Sequence, residues 1–437
     1  MHWVICGLII FSFSAPSAVM GVPYAIGTQG IVVGVLLCIL YTISVSLGAV
    51  LLIDLVGQYT NIKELKDLGR ATMGSKGEYF ATLIQNGNFF LFMPVALDIV
   101  ASSAQDIIDP SIDICPDYFL FAVAAVCLAT TQIRSFSNAS FFSVSSLVCV
   151  FLISVIIFVV VSTNSNDDKK NAQLFGNPDG DSLKGVSQGL LGVTTAVWSY
   201  VPSFLVVELL SSTLPSKGGM CRAVVLSAAL NVVLYVGVGV VVVCRWGWEM
   251  EDPITLVDAW PSQSTLSRIM SALLFISNLV SYSIDSVALT GKYIQAVCPD
   301  FDTDDWTPVG CLRFLALSAQ PWALALVISI VAPNMFVILA FVTAFSVPWV
   351  TMIFPSLCFL CADSSASEDP LLKIKTDKLL SPTSSQRIAV WLLILGSITF
   401  IICLAAAVGK SAFADLRGDS VIGCSGWMLL DTSTDDD

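Results

Sequence analysis

Apolar runs of about 20 residues, the length that crosses the hydrocarbon of a bilayer, recur along the chain between polar stretches. Hydropathy and length place about eleven spans, near residues 3–27, 30–57, 79–103, 118–133, 139–162, 186–211, 222–246, 266–290, 312–331, 335–361 and 388–409. Between them lie solvated connections: a loop carrying Lys63, Lys66, Arg70 and Lys76, a Gly/Asn/Asp-rich stretch before span six, and an acidic loop with Glu249, Glu251, Asp252 and Asp258. The expected fold is therefore all-α and polytopic. A single transmembrane domain covers 1–409, with a first half at 1–163, a second half at 185–361 and an extra helix at 388–409; a short acidic tail, 410–437, follows.

Composition agrees with this reading. Hydrophobic residues make up 56% of the chain and charged residues 12%, against roughly 25% charged in a soluble protein. The net charge of −13 is no sign of a nucleic-acid partner, because the acid sits in loops and in the tail DTSTDDD. The environment is a lipid bilayer. Thirteen cysteines in so long a chain do not read as a disulfide framework, and Cys127, Cys149, Cys244, Cys358 and Cys403 fall in apolar runs as small hydrophobes. Cys115 and Cys424 fall in loops placed outside and could pair.

The opening MHWVICGLII has no positive charge ahead of its apolar residues, so it reads as a first membrane helix rather than a cleaved signal peptide. With the N-terminus cytoplasmic, the inner loops hold about thirteen of the 20 Lys and Arg residues, and the outer loops hold most of the acid. That orientation puts the sequon Asn138-Ala139-Ser140 on the inner side, where it would go unused.

Within the first span, SFSAPSAVMGVPYAIGTQG packs Pro16, Gly21, Pro23, Gly27 and Gly30 among small residues. Proline removes a backbone donor and glycine adds backbone freedom, so this helix should bend or unwind. An unwound backbone survives in lipid only where it is buried in protein or lines a wet cavity. Span six, LLGVTTAVWSYVPSFLVVELL, is interrupted in the same way at Pro202. Spans one and six are five apart, so two five-helix halves would have opposite topology, a 5+5 inverted repeat with helices one and six broken. Interrupted spans at corresponding positions of inverted halves point to a binding site at the membrane midplane.

Histidine narrows the chemistry. His2 is the only one, so histidine-built metal or acid–base centres are excluded, and the chain is read as no enzyme, with no metal and no cofactor. Asp98, Glu208 and Asp285 lie in or close to spans, where a carboxylate must face a cavity, pair or be protonated; all three are candidates for coupling to a proton, with sodium as the alternative ion. Half-helix ends offer N–H groups to an anion and carbonyls to a cation, which matches a zwitterion. Its carboxylate would meet the amides of Ser14 to Val19 and its ammonium the carbonyls of Ser199 to Val201.

Several stretches resemble the amino acid/auxin permease family, a branch of the group with the leucine-transporter-type fold. They are MGVPYAIGTQGIVVGV, KDLGRATMGSKGEY with its G-R-x-x-x-G, SYVPSFLVVELLSSTLPSK with Glu208 at the family's acidic position, and AFVTAFSVPWVTMIFPSLCFL with Pro348 and Pro355. Where the family commonly has G-x-G before its Leu-Pro-Tyr core, Pro16 and Ala18 stand here. The resemblance implies a secondary carrier of amino acids or related small carboxylates, driven by protons, with alternating access about spans one and six.

The expected function is thus proton-coupled symport of neutral amino acids. The substrate-binding residues expected are Ser14, Ser17, Ala18, Val19 and Gly21 in span one, Trp198, Ser199 and Tyr200 in span six, and Asn86, Ser281 and Ser283 across the cavity. Alternatives are an amino-acid sensor that binds without net transport and a carrier of an auxin-like organic anion. The plasma membrane is preferred over a vacuolar or lysosomal one.

Overall fold

The computed structural model describes residues 2–59, 62–108, 116–134, 143–163, 183–199, 206–207, 209–210, 216–246, 265–298, 300–302, 305–331, 335–362 and 382–417. Cys115, Cys424 and the sequon at Asn138 lie outside the described residues, as do Tyr200 and Glu208. Among the described residues the regular elements are helices: α1 (Trp3–Gln29), α2 (Ile31–Val56), α3 (Leu65–Ile107), α4 (Pro116–Thr131), α5 (Ser143–Thr163), α6 (Leu183–Trp198), α7 (Lys217–Trp246), α8 (Thr265–Val297), α9 (Pro308–Val331), α10 (Met335–Pro348), a π-helical turn Trp349–Ile353, α11 (Phe354–Ala362) and α12 (Pro382–Arg417). Eight spans among them are long and apolar enough to cross a membrane, and shorter apolar helices cover Trp3–Ser12 and Tyr118–Thr131.

The prolines of α1 act differently from the expectation of an unwound backbone. The helix is continuous from Trp3 to Gln29 through Pro16 and Pro23. What Pro16 removes is one rung of the ladder: the carbonyl of Ser12, four residues back, loses its helical donor. Surrounding helices replace that donor, as described below. α6 stops at Trp198 with Ser199 in a turn, and Pro202, where span six is expected to break, lies outside the described residues. Pro355, the second residue of α11, follows the π-helical turn, in which the carbonyl of Thr351 faces α2. That oxygen would stand 2.0 Å from a Cβ on Gly48 of α2, so only glycine admits the approach.

Corresponding spans of the two halves pack against each other and run in opposite directions. On α1 and α6, Gly21 meets Thr195, and further along Gln29 Nε2 donates to the carbonyl of Gly189 at 2.5 Å. Between α2 and α7, Gly57 just past the end of α2 meets the side chain of Lys217 at the start of α7, and both helices line one small pocket further on, through Thr42 and Asn231. On α3 and α8, the rings of Phe92 and Tyr282 touch at 5.1 Å, while the earlier Gln85 shares a cavity with the later Lys292 and Gln295. This arrangement is what an inverted repeat requires.

Two connections hold the ends of the bundle. α3 is two helices meeting at Gly74, whose φ of 71° turns the chain between Met73 and Ser75. The shorter piece buries Leu65 and Leu68 and exposes Arg70. Its backbone lies directly on the longer piece, because a Cβ on Gly77 would stand 2.3 Å from the carbonyl oxygen of Gly69. At the end of α4, Arg134 adopts a left-handed conformation, φ 58°. Its Nη1 donates to the carbonyl of Asp305 at 2.7 Å, and its guanidinium lies 4.2 Å from the ring centre of Trp306 and 4.4 Å from that of Phe314.

Candidate functional site

The freed carbonyl of Ser12 is the centre of a hydroxyl cluster. Ser146 of α5 donates to it at 3.4 Å and Ser281 of α8 at 3.5 Å. Ser146 Oγ lies 2.9 Å from Ser277 Oγ, and Ser277 in turn donates to the carbonyl of Ser146 at 3.3 Å. Three helices therefore meet on oxygens alone at the point where Pro16 opens the ladder of α1. The serines of α8 recur at i and i+4, which puts Ser277 and Ser281 on the one face toward α1 and α5.

The adjoining face of α8 carries Asn278 and Tyr282, again one turn apart. Tyr282 meets the edge of Phe92 on α3 at 5.1 Å, and Phe92 stacks on Trp198, the last residue of α6, at 4.7 Å and 19°. Asn88 precedes Phe92 by one turn on α3. Around this aromatic contact two amides lack partners: Asn278 has both Nδ2 and Oδ1 buried without a hydrogen bond, and Asn88 has Oδ1 so. Both side chains are almost fully buried, at 1% and 3% exposed. A buried unpaired polar group costs about 1–3 kcal/mol, so such groups demand a reason.

The expected residues divide between this site and other places. Trp198 stands in the aromatic stack and Ser281 in the hydroxyl cluster. Ser199 lies just beyond α6, buried; its hydroxyl donates to Thr195 O at 2.9 Å, and its carbonyl already accepts Tyr235 OH at 3.2 Å. Gly21 is the contact of α1 with α6, since a Cβ there would stand 2.5 Å from Thr195 Cγ2. Ala18 and Val19 are fully buried, Val19 in an apolar cluster with Val150 of α5, Val238 of α7 and Leu274 of α8. Ser14 and Ser17 belong to α1 and Asp285 to α8, but their side chains lie outside the described residues.

Three others point elsewhere. Ser283 is 200° around the helix from Ser281, and its hydroxyl donates to Thr130 Oγ1 of α4 at 2.9 Å. Asn86, by the same two-residue offset from Asn88, opens into a cavity near the start of α3. Asp98 lies on the side of α3 toward α9, near Ser329, whose hydroxyl donates to the carbonyl of Pro94 at 3.1 Å. Asn88, Asn278, Phe92 and Tyr282 complete the site without having been singled out for binding from the sequence. Their sequence signal is the one-turn spacing of Asn88 with Phe92 and of Asn278 with Tyr282, while the direction of that face is set by packing on Trp198.

Among the described residues no group of three or more His, Cys, Asp or Glu side chains is placed to hold a metal ion.

The fold has a counterpart among solved structures. The chain is similar to MhsT, whose crystal structure holds L-phenylalanine, with a TM-score of 0.59 at 12% identity, covering 92% of this chain and 98% of that one. The likeness shows the leucine-transporter-type fold. No match is found among curated proteins. Residues 8–402 match the family described as transmembrane amino acid transporter protein. With nearly its whole length inside that match, the chain belongs to the transmembrane amino acid transporter family.

Proposed function

We propose that the protein is a secondary active carrier that moves neutral amino acids across the membrane together with protons, by alternating access around α1 and α6. The observation that carries this reading is the pair of buried, unpartnered amides, Asn88 and Asn278, on either side of the Phe92–Trp198–Tyr282 contact. Amides, hydroxyls and a carbonyl hydrogen-bond a zwitterion with no net charge preference, and aromatic rings take an apolar side chain. The bound L-phenylalanine in MhsT, a protein of the same fold, supports an amino acid as the ligand.

For coupling we take Asp285, one turn beyond Ser281 along α8, as the preferred proton carrier. Glu208 remains the family-like candidate in span six. Asp98, turned to Ser329 on α9, is the weakest of the three. One observation favours sodium as a second reading: the Ser12 carbonyl and the hydroxyls of Ser146, Ser277 and Ser281 form a set of oxygens, the donor type that hard cations take. A plasma-membrane location with the N-terminus cytoplasmic completes the proposal.

The test is uptake of a pooled, radiolabelled mixture of amino acids into proteoliposomes holding the purified protein. Uptake that collapses when an inward proton gradient is dissipated, in the absence of sodium, supports proton symport. Uptake that requires sodium and ignores the gradient replaces the proton by the second reading. No uptake of any amino acid overturns the carrier.

A further inference from the structure

α2 and α7, counterparts in the two halves, meet around a polar patch at mid-membrane. Gly57 lies against Lys217 at one end of their antiparallel contact. Thr42 stands fifteen residues before Gly57 and Asn231 fourteen after Lys217, so the two come level; Ser46 and Ser227 come level one turn nearer that end. Thr42 and Asn231 are also close to the middle of their helices, Ile31–Val56 and Lys217–Trp246. All four side chains line one cavity of about 30 Å³, which Ile10 of α1 and Val224 of α7 help to close. The hydroxyls of α2 are turned to their own backbone: Thr42 Oγ1 donates to Cys38 O at 2.8 Å, and Ser46 Oγ to Thr42 O at 2.7 Å. Each oxygen therefore keeps lone pairs for the cavity and has no proton to give it. Across the gap Asn231 is 7% exposed, and its Oδ1 is buried without a hydrogen-bond partner.

An ordinary account would have Asn231 clasp α2 directly, as polar side chains do between membrane helices. That account fails on proton count, because acceptor faces acceptor: Asn231 Oδ1 on one wall, the occupied hydroxyls of Thr42 and Ser46 on the other. Only a molecule with two donors joins them. An apolar filler would leave Asn231 Oδ1 bare, at a cost of about 1–3 kcal/mol. An ion would find no counter-charge, since none of the described residues lining the cavity is charged. Water carries two protons, takes two to four polar partners and needs about 10–15 Å³, so one or two molecules fit.

We propose that this cavity is an internal water site, at which one or two waters donate to Asn231 Oδ1 and to the hydroxyl oxygens of Thr42 and Ser46 and accept from Ser227. The polar contact between α2 and α7 is then carried by exchangeable water in the middle of the bilayer. The two helices can shift against each other without leaving the amide bare. The site is independent of what the protein carries and is tested without transport.

The experiment is X-ray radiolysis of the full-length protein in lipid nanodiscs, read by peptide mass spectrometry. Radiolysis makes hydroxyl radicals from bound water as well as from bulk, and these hydroxylate the side chains beside them. Ile10 and Val224 line the cavity, while Ile26 and Val243 are equally well buried outside it and serve as controls of matched type. Hydroxylation of Ile10 and Val224 is expected to run about fivefold faster than that of the controls. Asn231→Leu fills the space and removes the acceptor, so labelling should fall to the control rate. Thermal melting establishes that the variant is folded, and Ser227→Val, which deletes one water partner at similar size, takes its place if it is not. Wild-type labelling no faster than the controls overturns the proposal. Labelling that persists in a folded variant comes from bulk solvent reaching the seam and overturns it as well.

Discussion

The hydroxyl of Ser281 on α8 lies 3.5 Å from the carbonyl oxygen of Ser12 on α1, and that oxygen is available because Pro16 has no N–H to give it. One missing donor in one helix thus binds α1 to α5 and α8. Pro16→Ala restores the donor and removes the roughly 3 kcal/mol helix-interior penalty of proline. The expected result is a higher Tm in detergent with uptake lost or strongly reduced, since the new N–H then competes with Ser146 and Ser281 for the Ser12 carbonyl. Full uptake by this variant would show that the cluster serves packing alone.

Gly21 and Thr195 set how closely α1 approaches α6. A methyl on Gly21 would stand 2.5 Å from Thr195 Cγ2. Gly21→Ala should therefore lower uptake at unchanged surface expression. Thr195→Ser removes that methyl and keeps the hydroxyl bonded to Leu191 O at 2.9 Å. The double variant should recover much of the loss. Two single-variant effects that merely add would refute the contact as the cause.

Asn278→Leu exchanges an orphaned amide for an apolar group of similar size. Removing an unpaired buried polar group should stabilise the fold by about 1–3 kcal/mol, visible as a raised Tm. Substrate-dependent thermal stabilisation should vanish in the same variant. A lowered Tm with intact ligand response would mean that the amide is satisfied in the fold and plays no part in binding.

Asp305 offers a pH handle outside the membrane. The backbone N–H of Thr307, which bonds its carboxylate at 2.9 Å, and then the Thr307 hydroxyl hold it below the usual carboxylate range. A depressed folded pKa contributes stability that is present above the ordinary value of 3.8 and is lost as pH falls through the lower folded value. Asp305→Asn should flatten the acid limb of the Tm–pH curve by lowering Tm at neutral pH while leaving it little changed at the acid end, where the carboxyl is protonated anyway. Arg134→Lys, by contrast, should lower Tm at all pH values, because lysine cannot reproduce the planar contact with Trp306 and Phe314.

Much of this architecture could be read from hydropathy. Span two was expected at 30–57 and is Ile31–Val56; span nine was expected at 312–331 and is Pro308–Val331. The short first piece of α3 escaped because Lys66, Asp67 and Arg70 interrupt its apolar face, so the third span was expected to begin near residue 79. The expected break at Pro16 was right about the lost hydrogen bond and too strong about the backbone. A single proline costs one rung, and neighbouring serines can replace the donor. Choosing among polar residues failed for a different reason. Asn86 and Asn88, or Ser281 and Ser283, differ by two positions and hence by 200° of helix, and composition carries no phase. Only the neighbours, Trp198 behind Phe92 and Thr130 beside Ser283, decide which one faces the site.

The antiparallel contacts of α1 with α6, α2 with α7 and α3 with α8 have a thermodynamic corollary on the proposed carrier reading. A molecule made of two similar halves turned upside down offers nearly equivalent surfaces to the two aqueous compartments. Opening toward one compartment and opening toward the other are then states of comparable free energy, with no large bias to overcome. A ligand needs only about 1.4 kcal/mol of preference for one state to change their ratio tenfold. The direction of net movement is then set by the gradients on either side, and the fold acts as a reversible turnstile.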